Sequence, residues 1–139
     1  MPAEFLDTNI LVYAVSRLAG DAAKASVARS LIRFADQAIS LQVLQEFYVA
    51  ATHPRKLGYT HTEALRCCQA WRRFTIIEPT LAVFDHAVAL GERYQLGLWD
   101  AGILAAAHAA GCAVVYSEDF NPGQDYGGLR VENPFARIR

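Results

Sequence analysis

The sequence predicts an α/β fold: a three-layer α/β/α sandwich around a mostly parallel central sheet, built as a single domain over residues 1–139. Three observations carry that expectation. Short apolar, β-branched runs alternate with longer helical patterns along the whole chain, the arrangement that buries a parallel sheet under helices on both faces. Hydrophobic residues make up 53% of the chain and charged residues 19%, a balance that fits a large core and excludes disorder. The length of 139 residues suits one domain.

Taken in order, residues 3–6 are a first strand, stopped by Asp7. Thr8 or Asn9 can cap the helix that follows. Gly20 and Asp21 punctuate, and Asp21 can cap a second helix reaching about Phe34, with Val27, Leu31 and Phe34 on its inward stripe. Residues 38–40 form a very short strand, credible because Ser40 then caps a strong helix. In that helix Leu41, Val43, Leu44, Phe47, Tyr48, Ala50 and Ala51 cover a wide apolar arc, with Glu46 on its border. Pro54 and Gly58 end it. Thr60 or Thr62 starts the next helix, to about Phe74, with Ala64, Cys67, Cys68 and Trp71 inward and Thr62, Arg66, Gln69 and Arg73 outward. Residues 75–78 are a strand stopped by Pro79. Residues 80–95 are an amphipathic helix on Leu81, Phe84, Val88 and Leu90, closed by Gly97.

From Gly97 to Asn121 the chain reads as an Ala-rich helix, a Gly111-Cys112 break, the strand Ala113-Val114-Val115-Tyr116, and an abrupt Ser117-Glu118-Asp119. A turn-rich loop over 121–128 leads to a last strand, 129–132. Trp71 and Trp99 both sit beside inward helix positions and are expected in the core.

Composition excludes several classes. The apolar runs are broken well short of a membrane span, and the N-terminus lacks the basic region of a signal peptide. Three cysteines and four isolated histidines give neither a disulfide framework nor zinc-ligand spacing, so a reducing cytoplasm is the expected setting. A net charge of −1 offers no global attraction for nucleic acid. Locally, however, Arg55, Lys56, Arg66, Arg72 and Arg73 stand against Glu63 alone, a patch compatible with a phosphate backbone.

The chemistry lies in four acids. Asp7 ends the first strand, Glu46 borders the core of its helix, Asp100 opens a helix whose dipole favours a carboxylate, and Asp119 follows a strand. In a parallel sheet these positions converge at the carboxyl ends of the strands, where ligands bind. Gathered carboxylates repel strongly at low effective dielectric. A hard divalent cation such as Mg²⁺ or Mn²⁺ is the usual remedy, and oxygen-only sites of this kind lean towards phosphodiester chemistry. Glu118, on the opposite face of its strand from Asp119, is left outside the site.

The combination of Phe5-Leu6-Asp7-Thr8-Asn9, Gln45-Glu46-Phe47, Trp99-Asp100-Ala101 and Tyr116-Ser117-Glu118-Asp119-Phe120 resembles the PIN-domain nucleases, and within them the VapC-type toxins of bacterial toxin–antitoxin pairs. The resemblance runs from residue 4 to Asn133-Pro134-Phe135. It implies a Mg²⁺- or Mn²⁺-dependent endoribonuclease with an RNA substrate, a small antitoxin that blocks the site, and a homodimer. It also implies Asp7, Glu46, Asp100 and Asp119 as metal-site acids, with Asn9 and Ser117 supporting them. Gly97 departs from the Ser or Thr common there, although Gly is a tolerable N-cap. The outward Arg66 and Arg73 are candidate RNA contacts. A haloacid-dehalogenase-like phosphatase would need a second Asp where Asn9 stands, and a phospho-receiver domain would need a lysine near the C-terminal strand, whereas the last lysine is Lys56. The remaining alternative is a PIN-like module that binds RNA or protein without cutting it.

Overall fold

The computed structural model describes residues 2–138. Five strands, β1 (Glu4–Leu6), β2 (Gln37–Ser40), β3 (Thr75–Ile77), β4 (Val114–Tyr116) and β5 (Arg130–Glu132), form one parallel sheet in the order β3-β2-β1-β4-β5. They alternate with α1 (Thr8–Val15), α2 (Ala22–Leu31), α3 (Leu41–Thr52), α4 (His61–Trp71), α5 (Leu81–Tyr94) and α6 (Leu98–Ala109). The three-layer α/β/α sandwich is the one expected. Its strands are only three or four residues long, and burial holds them: Phe5, Leu6, Ala38, Ile39, Val115 and Val131 are all 0% exposed.

The strand order decides where a ligand can bind. The sheet grows from β1 through β2 to β3, then the chain crosses back and lays β4 on the other side of β1. At such a reversal the connections on either side diverge and leave a crevice at the carboxyl ends. Leu6 pairs with Tyr116, so Asp7 and Ser117 leave the sheet side by side.

Local hydrogen bonds fix the helix starts. Ser40 Oγ accepts the Val43 N–H, Thr80 Oγ1 accepts the Val83 N–H, and Thr60 with Glu63 closes a reciprocal capping box. Thr60, not Thr62, therefore starts α4. At α1 the cap is Asp7 itself, ahead of both expected candidates, because its carboxylate accepts the Thr8 N–H.

Four other expectations are corrected. The second helix stops at Leu31, and Phe34 lies beyond it in the left-handed region at φ 66°. Buried Gln37 imposes that turn: its Oε1 accepts the Arg33 and Phe34 N–H groups at 2.8 and 2.9 Å, while Nε2 donates to Leu31 O and Glu4 Oε1. Gln37→Ala, which strips every partner from a fully buried turn, should destabilise the protein by roughly 3 kcal/mol in urea titrations. In α5 the buried residues are Ala87 and Leu90, whereas Leu81, Phe84 and Val88 are exposed. The small side chains of α6 let α5 come close on the stripe Val83-Ala87-Leu90-Tyr94, which rotates the larger apolar residues outward. Gln95, in the left-handed region at φ 57°, closes α5 in place of Gly97, which keeps its other expected role as the N-cap of α6.

The last correction concerns the tryptophans. Trp71 is buried as expected, at 6% exposure, but Trp99 is 71% exposed. The buried face of α6 begins only at Ala101, so the first turn, with Trp99 and Asp100, projects past the core.

Candidate functional site

A crevice of about 860 Å³ opens at the carboxyl ends of β1 and β4, and Asp7, Glu46, Asp100 and Asp119 all line it. Each arrives from a different element. Asp7 follows β1, Glu46 stands midway along α3, Asp100 is in the first turn of α6, and Asp119 is three residues beyond β4.

Asp7 is the buried centre, 5% exposed. Its Oδ1 accepts the Thr8 N–H at 2.7 Å and its Oδ2 accepts the Ser117 hydroxyl at 2.6 Å. Burial pushes its carboxyl up to about 7; the two hydrogen bonds oppose the shift, and the charges of Asp119 and Glu46 reinforce it.

Ser117, 0% exposed, ties the pieces together. While donating to Asp7, its Oγ accepts the Asp119 N–H at 3.1 Å and the Asn9 amide at 3.3 Å. Asn9 Nδ2 also donates to Asp119 Oδ2 at 3.1 Å. A carboxylate can only accept, so this contact fixes the orientation of the Asn9 amide. Asn9 Oδ1 is left buried and without a partner among the described residues.

Glu46 is exposed, and its Oε1 accepts the Thr8 hydroxyl at 2.8 Å. Asp100 is exposed, with no side-chain hydrogen bond among the described residues. The site therefore has a tight half, Asp7-Ser117-Asn9-Asp119, and a looser half, Glu46 and Asp100. Among the described residues no three Asp, Glu, His or Cys side chains are drawn together closely enough to hold a cation as they stand. The orphaned Asn9 oxygen, the desolvated Asp7 and an all-oxygen donor set nevertheless fit a hard divalent ion.

Glu118 also faces the crevice, but its carboxylate is occupied: Tyr13 Oη donates to it at 2.7 Å and Lys24 Nζ at 2.9 Å. Thr8, considered from sequence only as a helix cap, instead positions Glu46. The basic patch divides. Arg55 and Lys56, in the loop after α3, line the crevice, whereas Arg66 on α4 and Arg73, two residues past its end, do not, and the Arg73 guanidinium sits 4.1 Å from the centre of the Phe34 ring. The cluster of basic residues was visible in the sequence; which of them reach the crevice was set by the packing of α4.

Fold and crevice together define a parallel α/β/α protein with an acidic site at its topological switch point. The PIN domain profile matches residues 5–122, and the chain belongs to the PIN domain family. Among solved structures it is similar to a toxin–antitoxin complex from Klebsiella pneumoniae, with 26% identity and a TM-score of 0.68, over 95% of this chain and 98% of that one. It is also similar to the VapBC2 complex of Rickettsia felis bound to a promoter DNA fragment, with 20% identity, a TM-score of 0.62 and coverage of 94% and 98%. VapC20 of Mycobacterium tuberculosis, a toxin that cleaves the sarcin–ricin loop, matches with 17% identity, a TM-score of 0.65 and coverage of 92% and 99%. At those two lower identities the likeness is one of fold. No curated protein sequence matches the chain.

Proposed function

We propose that the protein is a Mg²⁺- or Mn²⁺-dependent endoribonuclease, the toxin of a toxin–antitoxin pair, acting in the cytoplasm. The observation that supports this best is the convergence of Asp7, Glu46, Asp100 and Asp119 on one crevice, with the orphaned Asn9 oxygen among them. Those four acids would hold the cation. When bound, it supplies polarisation of a phosphoryl oxygen and a water acidified towards neutrality.

The chain's own residues prepare the site for this. The Ser117 hydroxyl aims Asp7 and fixes the turn that carries Asp119, the Asn9 amide steers the Asp119 carboxylate, and Thr8 steadies Glu46. The Ser117 hydroxyl meets the Asp7 carboxylate but is fully buried and out of a substrate's reach, so water is the attacking group in this reading.

The antitoxin enters through the same surface. Exposed Glu46, Asp100 and Asp119 invite an arginine, whose fork pairs with carboxylates in two parallel hydrogen bonds. The similarity to a toxin–antitoxin complex supports such a partner, and we extend the reading to a homodimer. Light scattering at micromolar concentration tests the dimer; a monomer removes it and leaves the nuclease reading intact. Among the described residues no helix is long and apolar enough to cross a membrane.

The direct test incubates the protein, freed of any partner, with tRNA and ribosomal RNA fragments plus Mn²⁺, with EDTA as control. Metal-dependent cleavage is expected. A non-cutting PIN-like binding module is the second reading, favoured by the acids not being drawn into a closed cage, and it prevails if nothing in the panel is cut. Arg66 and Arg73 stay in the proposal as backbone contacts beyond the crevice. Replacing both with Ala should lower the salt dependence of RNA binding by about 0.7 per lost contact; unchanged affinity and slope assign that face to solvent.

A further inference from the structure

The acids leave two features of the crevice unexplained. The first is Trp99. An indole that is 71% exposed forgoes most of the burial available to it, yet the backbone that carries this one is anchored. Its carbonyl accepts the Gln42 side-chain N–H at 3.0 Å, and α6 lies so close to Gln42 that a Cβ on Gly102 would meet Oε1 at 2.7 Å. The second feature is the pair Arg55 and Lys56. Both are exposed, both line the crevice, and neither has an ion-pair partner among the described residues, whereas nearby Arg17 and Lys24 are paired with Glu63 and Glu118.

Helix α3 relates the two. Gln42, Gln45, Glu46 and Val49 line the crevice at i, i+3, i+4 and i+7, a single stripe along the helix. Trp99 is fastened at the first turn of α3, and Arg55 and Lys56 follow its last. At 1.5 Å per residue the two ends are on the order of 15 Å apart, with Glu46 between them. The crevice thus presents an aromatic face at one end, free cations at the other, and the acids in the middle. That order matches a nucleic acid single strand, which offers unstacked bases to an aromatic platform and phosphates to basic side chains. A duplex keeps its bases stacked and gives the indole nothing to cover.

We propose that the crevice takes single-stranded RNA lengthwise along α3, with a base stacked on Trp99 and phosphates held by Arg55 and Lys56, so that the acids face the backbone between them. This rests on the ribonuclease reading for the identity of the strand, and it adds the residues that choose single strands over duplex.

The test titrates the full chain, freed of partners and in Mg²⁺, into a fluorescein-labelled uridine dodecamer, alone or annealed to its adenosine complement. Anisotropy is read on strands that gels show to be intact afterwards. The single strand should bind more tightly than the duplex. Trp99→Ala should weaken single-strand binding roughly 5- to 150-fold, and Trp99→Phe should recover most of that loss. Arg55→Ala combined with Lys56→Ala should flatten the slope of log K against log salt by about 1.4. Thermal melts of all variants should match wild type, since each side chain is exposed. The proposal is overturned if the single strand does not bind, if duplex binds as tightly, or if the variants bind like wild type. Should wild type cut no RNA while these variants lose strand binding, the nuclease reading fails and the strand-binding one stands. Should wild type cut RNA while the variants bind normally, only the strand-binding one fails.

Discussion

Lowering the pH from 8 to 5 should stabilise the cation-free protein by roughly 2.7 kcal/mol through Asp7 alone, and Asp7→Asn should abolish that contribution. The sign follows from the direction of the shift. Burial raises the Asp7 carboxyl from 3.8 to about 7, so between those values the folded chain holds a proton that the unfolded chain releases. The resulting stability is complete below about 4 and is lost as the pH rises through about 7. His86 acts in the opposite direction over the same range, because burial and the neighbouring His108 hold its imidazole below the usual value. The measurement is therefore the difference between wild type and Asp7→Asn, in which the His86 contribution cancels. Asn keeps an oxygen for the Thr8 N–H and has no charge to desolvate. Urea titrations in EDTA at pH 5 and 8 read the effect. Equal pH dependence in both proteins would show that Asp7 is not the group responsible. Mg²⁺ competes with that proton, so it should stabilise wild type more at pH 8 than at pH 5.

Asp100→Asn should reduce metal-dependent RNA cleavage by at least ~100-fold, more than the loss usual for a residue that merely supports a ligand. It should leave cation-free stability unchanged or slightly raised. Asp100 is exposed and has no side-chain hydrogen bond among the described residues to lose, and Asn at this position removes one charge from a group of like charges. With cation at a hundredfold excess over Kd, wild type should gain about 2.7 kcal/mol and the variant much less. Melts of both proteins with EDTA and with Mn²⁺ check this. If the variant melts well below wild type in EDTA, Asp100 serves the start of α6 and not a metal site.

The elements were largely legible because their signals are local. Ser40 and Thr80 cap the helices they precede, and the short β-branched runs became β2, β3 and β4 within a residue or so of their expected bounds. The misreadings came from long-range contacts. The turn after α2 depends on Gln37 reaching back to Leu31, Arg33, Phe34 and Glu4, a closure that no periodicity encodes. The buried face of α5 depends on the small residues of α6, which draw Ala87 and Leu90 inward and leave Phe84 in solvent. Trp99 looked like a core residue because it sits beside inward positions of its helix, but the buried face of α6 begins only at Ala101.

The sequence by itself determined the strand–helix alternation and the α/β class, and it singled out the four acids that line the crevice, since each follows from residue type and spacing along the chain. Only the tertiary structure decided how those acids differ. The reversal of strand order at β1 set Asp7 against Ser117 and buried it, while Glu46, midway along α3, and Asp100, in the first turn of α6, stand exposed to solvent. The same packing brought Arg55 and Lys56, in the loop after α3, to the crevice and left Arg66 and Arg73 off its lining, since α4 buries the face of Ala64 and Trp71 and Arg66 lies outside that face.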